Sequence, residues 1–471
     1  MRRRHFIQTA GALGASLAGT HLALAADNPL TSAYRAPVPA DTGASGTVIV
    51  VGGGMAGATA AKYLRIWGGK RVNVVLIDAT AGYTSNIMSN LVLTGARTLS
   101  SLNFPRDQLA TRYGVQLVQG RVSAIVPAGS GPGGKVLVGG TEIAYTRLVV
   151  APGIEFDPVP GVPDNLQGYY PHAWQAGAQT TELRRQLLAM PASSGVFLMS
   201  IPAAPYRCPP GPYERACLIA DWLRSHKPGS RLVLLDANLD ITAEKETFSR
   251  AFNELYADII EYHPATMISS VQPGVAGGGT VYTEHTRAVV GADGTSSIQP
   301  SGVAGPSFDG VDVVNPITPH RAGSVLASVP GILKGGRWAP VNVLSYESSV
   351  PGIHVIGDAC KTTQPKAGHI ANQEAKVCAD AVTRLLRGDT QLDQNLVTNS
   401  ACFSPITATQ ASWLTAVFHY DPVSGTMKKY LRPAGSTAAG VLADGEAGQW
   451  TTENFSQMGH WFRQLMADSF A

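Results

Sequence analysis

Thr47-Val48-Ile49-Val50-Val51-Gly52-Gly53-Gly54-Met55-Ala56-Gly57 is the stretch that decides the fold. Its apolar, β-branched run at 48–51 predicts a strand buried on both faces, as in a parallel sheet. The strand leads directly into glycines that satisfy G-x-G-x-x-G. Gly52 permits a tight turn, and Gly54 lets the backbone approach a pyrophosphate. Gly57 lets the next helix, expected over 58–67, lie close on the strand. That helix starts beside Met55 and Ala56, and its free N–H groups would face the phosphates. A second apolar run, 73–77, ends at Asp78, 21 residues after Gly57, where a carboxylate can accept hydrogen bonds from a ribose. This order of parts predicts a dinucleotide site. The motif by itself does not divide FAD from NAD.

Further on, a Gly- and Asn-bearing connection at 82–86 ends in Asn86. Residues 115–126 alternate, and Gly120-Arg121-Val122 would set Val122 and its backbone against an adenine edge. A hairpin-like segment, 136–150, runs through a last strand at 147–150 into Ala151-Pro152-Gly153, where the chain would leave the first domain. The opening pattern then recurs: an apolar strand at 195–201, a helix at 213–225, and a strand at 231–235 ending in Asp236. The second βα loop, 202–212, differs in holding five prolines and one glycine. Proline has no N–H, so this loop cannot build the ring of amide donors a pyrophosphate needs. The second dinucleotide site is therefore degenerate, which argues against NAD(P)H as a partner.

The loop carries a cysteine instead, in Tyr206-Arg207-Cys208-Pro209-Pro210-Gly211-Pro212-Tyr213-Glu214-Arg215. Arg207 and the helix N-terminus would favour a thiolate at Cys208, and Glu214 falls in the first helical turn. A small buried hydrophobe is the alternative role for such a cysteine. Residues 264–340 read as turn-rich. A strand ending in Gly357-Asp358 follows, then a helix over 369–386. Paired with the opening glycines, that second element favours FAD over NAD. Residues 391–404 read as a polar loop carrying Cys402, residues 417–430 as a hairpin, and 455–470 as an aromatic-rich helix. The apolar stripe of that last helix fits a core, a subunit interface or a membrane surface, but Arg463 is its one cation, which speaks against the membrane.

Composition narrows the function classes. The formal charge of +3 rests on Arg2, Arg3 and Arg4, and the remaining 33 basic residues face 33 acidic ones. No electrostatic basis for nucleic-acid binding remains. Those arginines open a twin-arginine pattern, Arg3-Arg4-His5-Phe6-Ile7-Gln8, followed by a mildly apolar stretch at 10–26 with a small-x-small site at Ala23-Leu24-Ala25. A signal peptide is expected over 1–25, a leader over 26–46, and a periplasmic location, where disulfides persist. The five cysteines, Cys208, Cys217, Cys360, Cys378 and Cys402, form no C-x-x-C and no C-x-x-C-H. The chain therefore attaches no c-type haem of its own, and no metal ligands are assigned.

At this point the sequence resembles the flavoprotein subunit of flavocytochrome c sulfide dehydrogenase, a relative of sulfide:quinone oxidoreductases and disulfide reductases. The resemblance is most specific in the loop at 206–216. It extends to 313–323, 347–349 and 352–359, and to Cys402 and Trp461. It implies an α/β fold with two Rossmann-like domains and a C-terminal α+β interface domain. The boundaries would be 47–160 with 315–390 for FAD, 161–314 for the insert bearing the cysteine loop, and 391–471 for the interface. The cofactor set would be Gly52, Gly54, Met55, Ala56, Gly57, Asp78, Asn86, Val122, Ala151, Gly153, Gly357, Asp358, Lys366, Gly368 and Trp461.

The resemblance also implies a Cys208–Cys402 redox disulfide beside the flavin, although the two lie 194 residues apart and no spacing shows that they meet. Hydrosulfide would open that bridge to a persulfide, Glu214 would handle its proton, and electrons would leave through FAD to a c-type cytochrome. Without a cytochrome subunit a homodimer is open. No stable membrane insertion is expected. A periplasmic sulfide:quinone oxidoreductase is the nearest alternative. A non-catalytic flavoprotein holding a soft metal between Cys208 and Cys402 is another. Cys217, Cys360 and Cys378 match no redox position of the family and leave a further bridge or metal site open.

Overall fold

The computed structural model describes residues 38–291, 294–430 and 445–471. The expected signal peptide and most of the leader lie outside these residues. Five helices of three or more turns matter below: α1 (Met55–Gly68), α2 (Ala178–Ala189), α3 (Gly211–His226), α4 (Gly368–Leu386) and α5 (Thr452–Phe470).

Two parallel sheets carry the fold. In the first, Gly46–Val51 lies between Val72–Asp78 and Arg147–Val150, with Gln116–Gln119 and Ile353–Val355 at the edges. Val48–Val51 are buried, as a parallel strand covered on both faces must be. The second sheet orders Ile260–His263, Arg231–Asp236, Val196–Ile201 and Val313–Pro316. The last of these strands shows that the chain is still in the second sheet at Pro316. Two short strands, Ile154–Phe156 and His320–Ala322, pair antiparallel where the chain leaves the first sheet and returns to it.

Three segments depart from the sequence reading. Residues 264–340 hold a long antiparallel meander, Thr266–Pro273, Gly279–Val290 and Ser296–Val311. Its last strand, Ser296–Val311, is exposed on both faces for most of its length and interleaves Gly, Ser and Pro, so the alternation that marks a half-buried strand is missing there. Residues 397–405, read as loop, are a strand (Val397–Pro405) paired with Ala411–Asp421, so Cys402 sits opposite Leu414 in a ladder. The hairpin expected at 417–430 is real, but its first strand begins six residues earlier.

The stripe on α5 turns inward. Met458, Phe462, Leu465, Met466 and Phe470 join the core of the first sheet, each such burial being worth roughly 1.5–3 kcal/mol. Phe470 stacks on Tyr83 and on Phe104. The buried Lys62 on α1 donates to the carbonyls of Ala467, Asp468 and Ala471, closing the negative end of the α5 dipole. Tyr63 and Asn372 hold Asp468. Among the described residues no helix is long and apolar enough to cross a membrane.

Candidate active site

Gly52, at φ +94°, places its missing Cβ 2.2 Å from the Ala151 carbonyl oxygen, so no side chain fits that turn. A Cβ on Gly57 would stand 1.7 Å from the Gly52 carbonyl oxygen, which is how α1 comes to rest on the strand. Gly54 differs: its Cβ would meet only the Tyr83 ring, at 3.8 Å. The space beside Gly54 belongs to a cavity of about 920 Å³. The α1 N-terminus has no side-chain cap and no acidic residue in its first turn, so its N–H groups remain available to an anion.

At one end the cavity is lined by Asp78, Gly120, Arg121 and Val122. The Asp78 carboxylate already accepts from Gly53 N–H at 2.6 Å and Thr80 N–H at 2.8 Å, and pairs with Arg106 at 3.3 Å. Its Oδ1 also accepts from Thr80 Oγ1 at 2.6 Å, so Oδ2, bonded to Gly53 N–H, is the oxygen that keeps a second acceptor site. Arg106 was not legible in the sequence; its Nε also reaches the Gly53 carbonyl at 2.7 Å, clamping the glycine turn from a distant helix start. Midway lie Met55, Ala56, Asn86, Ala151, Gly153, Gly357, Asp358 and Gly368. Asn86 Oδ1 accepts from Ala176 N–H. Lys366 does not line the cavity. Its ammonium donates to the Asp358 and Cys360 carbonyls, both at 2.8 Å, and lies over the Trp338 ring.

The far end holds Cys208, Cys402, Glu214 and Trp461 together. Cys208 is left-handed at φ +59°, a conformation costing roughly 1–2 kcal/mol for a side chain. The surroundings hold it there: its N–H donates to the Lys366 carbonyl at 2.7 Å, and its carbonyl accepts from Gly211 N–H at 2.9 Å. Trp174 Nε1 donates to the Arg207 carbonyl, and Tyr206 Oη to that of Pro209. A Cβ on Gly211 would lie 2.8 Å from the Cys208 sulfur, so glycine at the first position of α3 makes room for it.

The sulfurs are free thiols here, so the implied bridge is not formed. The expectation of a thiolate at Cys208 is corrected. The sulfur borders the cavity yet is otherwise enclosed, and burial, then the Glu214 charge, push it up to about 12 against the opposing pull of Arg207 and Gly211 N–H. Desolvation outweighs one cation and one helix end. Cys402 is raised well above the ordinary thiol range by burial and next by Cys208, a mark of how near the two sulfurs lie.

Burial also raises the Glu214 carboxyl to about 7, opposed by an Asn90 hydrogen bond and by Arg215. Asn90 Nδ2 donates to Glu214 Oε1 at 2.8 Å, while its Oδ1 accepts from Arg215 Nε at 2.9 Å. Arg215 is itself buried and held by Asn315 Oδ1 and the His172 and Ala173 carbonyls. Asn90 and Asn315 left no signal in sequence, because nothing in spacing brings 90, 215 and 315 together. Asn90→Ala is expected to lower stability by about 1–3 kcal/mol, since it leaves the buried Glu214 carboxyl without its side-chain donor and Arg215 Nε without an acceptor. Urea unfolding of the variant measures this.

The second βα unit has no room for a dinucleotide. The Asp236 carboxylate is fully buried and accepts from Tyr213 Oη at 2.7 Å, Tyr262 Oη at 2.9 Å and Asn238. Tyr213, on the first turn of α3, is fully buried over that carboxylate. Trp461 lies 5.7 Å from the Phe403 ring, and its buried indole N–H has no hydrogen-bond partner among the described residues, leaving a donor for a bound group. Cys217, Cys360 and Cys378 are buried and free. Among the described residues no group of three or more His, Cys, Asp or Glu is placed to hold a metal ion.

Residues 180–292 match the central region of the sulfide dehydrogenase (flavocytochrome c) flavoprotein chain, and residues 46–189 match pyridine nucleotide-disulphide oxidoreductase. Among solved structures, the sulfide:quinone oxidoreductase of the hyperthermophilic bacterium Aquifex aeolicus superposes with a TM-score of 0.63 at 15% identity, over 90% of this chain and 92% of that one. A ferredoxin reductase from Rhodopseudomonas palustris gives 0.52 at 18%, over 79% and 82%. An NAD-dependent persulfide reductase from A. fulgidus gives 0.52 at 14%, over 79% and 63%. These likenesses show a shared fold.

Proposed function

We propose, from the premise that the chain is a flavoprotein of the disulphide-oxidoreductase fold carrying the central segment of a flavocytochrome c sulfide dehydrogenase, that it oxidises sulfide to sulfur or polysulfide. The carrying observation is that Cys208 and Cys402 line one cavity with the glycine turn and a carboxyl poised near neutrality.

The residues fit FAD. The glycine turn and the α1 N-terminus suit a pyrophosphate, Asp78 suits a ribose, and the Trp461 N–H is a spare donor at the sulfur end. FAD, when bound, supplies a two-electron acceptor beside the cysteines. The protein's part is thiol exchange. In the oxidised pair, hydrosulfide attacks one sulfur; the Cys208–Cys402 bond breaks, a persulfide bond forms, and the other cysteine leaves as thiolate. Glu214 takes the proton of the sulfur nucleophile on its carboxylate, with Asn90 fixing the carboxylate's orientation. Trp461 and Phe403 keep bulk water from the pair.

The electron acceptor is a c-type cytochrome, as a subunit or a soluble protein; without a subunit the chain pairs with itself. The twin-arginine pattern directs it to the periplasm. Burial of the α5 stripe supports a cytochrome over a quinone, because the side chains that would enter a membrane are committed to the core. Anaerobic sulfide titration tests the activity: the flavin should bleach, and a flavin that stays oxidised ends the proposal. Co-purification of haem, against partition into vesicles, separates the two acceptors. N-terminal sequencing of exported protein tests the signal peptide.

Glu214→Gln should cut kcat by about 10²–10⁴-fold. The carboxylate is the active form, so wild-type kcat rises with pH through about 7. In Glu214→Gln this rise should vanish. A kcat profile recorded at saturating sulfide checks it.

A further inference from the structure

Among the described residues three arginines line the cavity: Arg106, Arg121 and Arg207. The first is spent on the Gly53 carbonyl and Asp78, and Arg121 lies with it at the Asp78 end. Arg207 alone stands at the sulfur end, next in sequence to Cys208. Its side chain is mostly buried, yet among the described residues its guanidinium makes no hydrogen bond, and its one ion-pair contact is Asp358 Oδ2 at 3.9 Å. A planar group with five donors is thus left with one loose partner.

Its surroundings do not neutralise it. His172 stacks on Phe156 at 3.7 Å, and His320 meets the same ring edge-on at 4.8 Å. Both rings are kept neutral, by burial first and by Arg207 among the nearby charges. The Tyr83 phenol is likewise buried and neutral. Two further acids act on the thiols, and both are engaged: Glu214 accepts from Asn90, and Glu244, raised to about 8 by burial, accepts from Ser404 Oγ. Nor is the guanidinium spent on a resting thiolate, since burial keeps the Cys208 thiol protonated. A permanent cation with unused donors, facing a cavity beside the reacting sulfur, lacks an anion.

We propose that Arg207 is the anion-selecting residue of this site, holding a monoanionic sulfur nucleophile such as hydrosulfide beside Cys208. This rests on the function proposed above and assigns its substrate a charge state. Neutral hydrogen sulfide and neutral thiols gain nothing from the guanidinium. A hydrosulfide gains a charge-assisted hydrogen bond and arrives already ionised.

The test uses flavin-loaded protein reduced with a phosphine, treated with iodoacetate, an anion, or iodoacetamide, which is neutral. Both reagents alkylate the same thiolate and release iodide, so their rate ratio at the Cys208 peptide, read by mass spectrometry, cancels any change in thiol ionisation. In Arg207→Gln the iodoacetate-to-iodoacetamide ratio should fall roughly tenfold, and in Arg207→Lys it should stay near wild type. The KM for sulfide should rise in Arg207→Gln with a smaller change in kcat. A ratio unchanged in Arg207→Gln overturns the proposal. So does flavin loss in both variants, because it would put the guanidinium on the cofactor. Sulfide titration of the wild type separates the premises. Bleaching with an unchanged ratio leaves a dehydrogenase without this anion site, whereas a ratio effect without bleaching leaves an anion site without the dehydrogenase.

Discussion

Cys208→Ser protein is expected to fold, bind flavin and remain yellow through an anaerobic sulfide titration, its reduction slowed on the order of 10³-fold or more. Serine is close to cysteine in size, and the left-handed backbone at 208 is fixed by main-chain bonds to Lys366 and Gly211, which the substitution leaves intact. What disappears is the only chemistry the site offers sulfide: an oxygen cannot form the disulfide that is attacked or carry the persulfide that results. Cys402→Ser should fail in the same titration for the same reason. Cys378→Ala supplies the control. That cysteine is buried on α4 and does not line the cavity, so its loss should leave bleaching intact. Equal bleaching of wild type and Cys208→Ser would remove the cysteine mechanism and leave a flavoprotein with another task.

Gly57→Ala carries the second large effect, and it separates two uses of glycine within one motif. Its new Cβ would fall 1.7 Å from the Gly52 carbonyl oxygen and 3.3 Å from Val50. The obstacle is backbone rather than the tip of a flexible side chain, so α1 must lift or the turn must open. A loss of about 3 kcal/mol or more is expected, with the flavin lost as well. Gly54→Ala should behave in the opposite way. Its Cβ meets nothing but the Tyr83 ring at ordinary contact distance, so the apo protein should melt near wild type while flavin retention falls. Thermal melts of the apo forms, with flavin content measured on purification, decide both. A Gly54→Ala protein as unstable as Gly57→Ala would show that the cavity beside the turn is not built for a bound group.

The comparison of sequence with structure turns on range. The strand at 48–51, the glycine turn, Asp78, the second βα unit and the C-terminal helix were all legible, because each is written in contiguous residues whose spacing follows a single geometric period. The proline-rich loop was legible as a failed phosphate site for the same reason. Cys208 was misjudged in its ionisation: neighbours in sequence favoured a thiolate, but burial, which no local pattern records, reversed the sign. The meander at 266–311 escaped because its long last strand faces solvent, buries little and so carries no alternation.

By itself, then, the chain determined a glycine turn at Gly52, Gly54 and Gly57 whose shape suits a pyrophosphate, and a second βα loop at 202–212 that lacks the amide donors for one. Backbone geometry and the missing N–H of proline are local properties, and local properties survive in a linear text. Only the tertiary structure brought Cys402 to the cavity of Cys208, set Asn90 between Glu214 and Arg215, closed Asp236 under two tyrosines and left Arg207 without a close partner. Those relations depend on contacts between residues distant in the chain, 23 positions apart for Tyr213 and Asp236 and 124 for Asn90 and Glu214, and on the water they exclude, and desolvation exists only once the chain has folded.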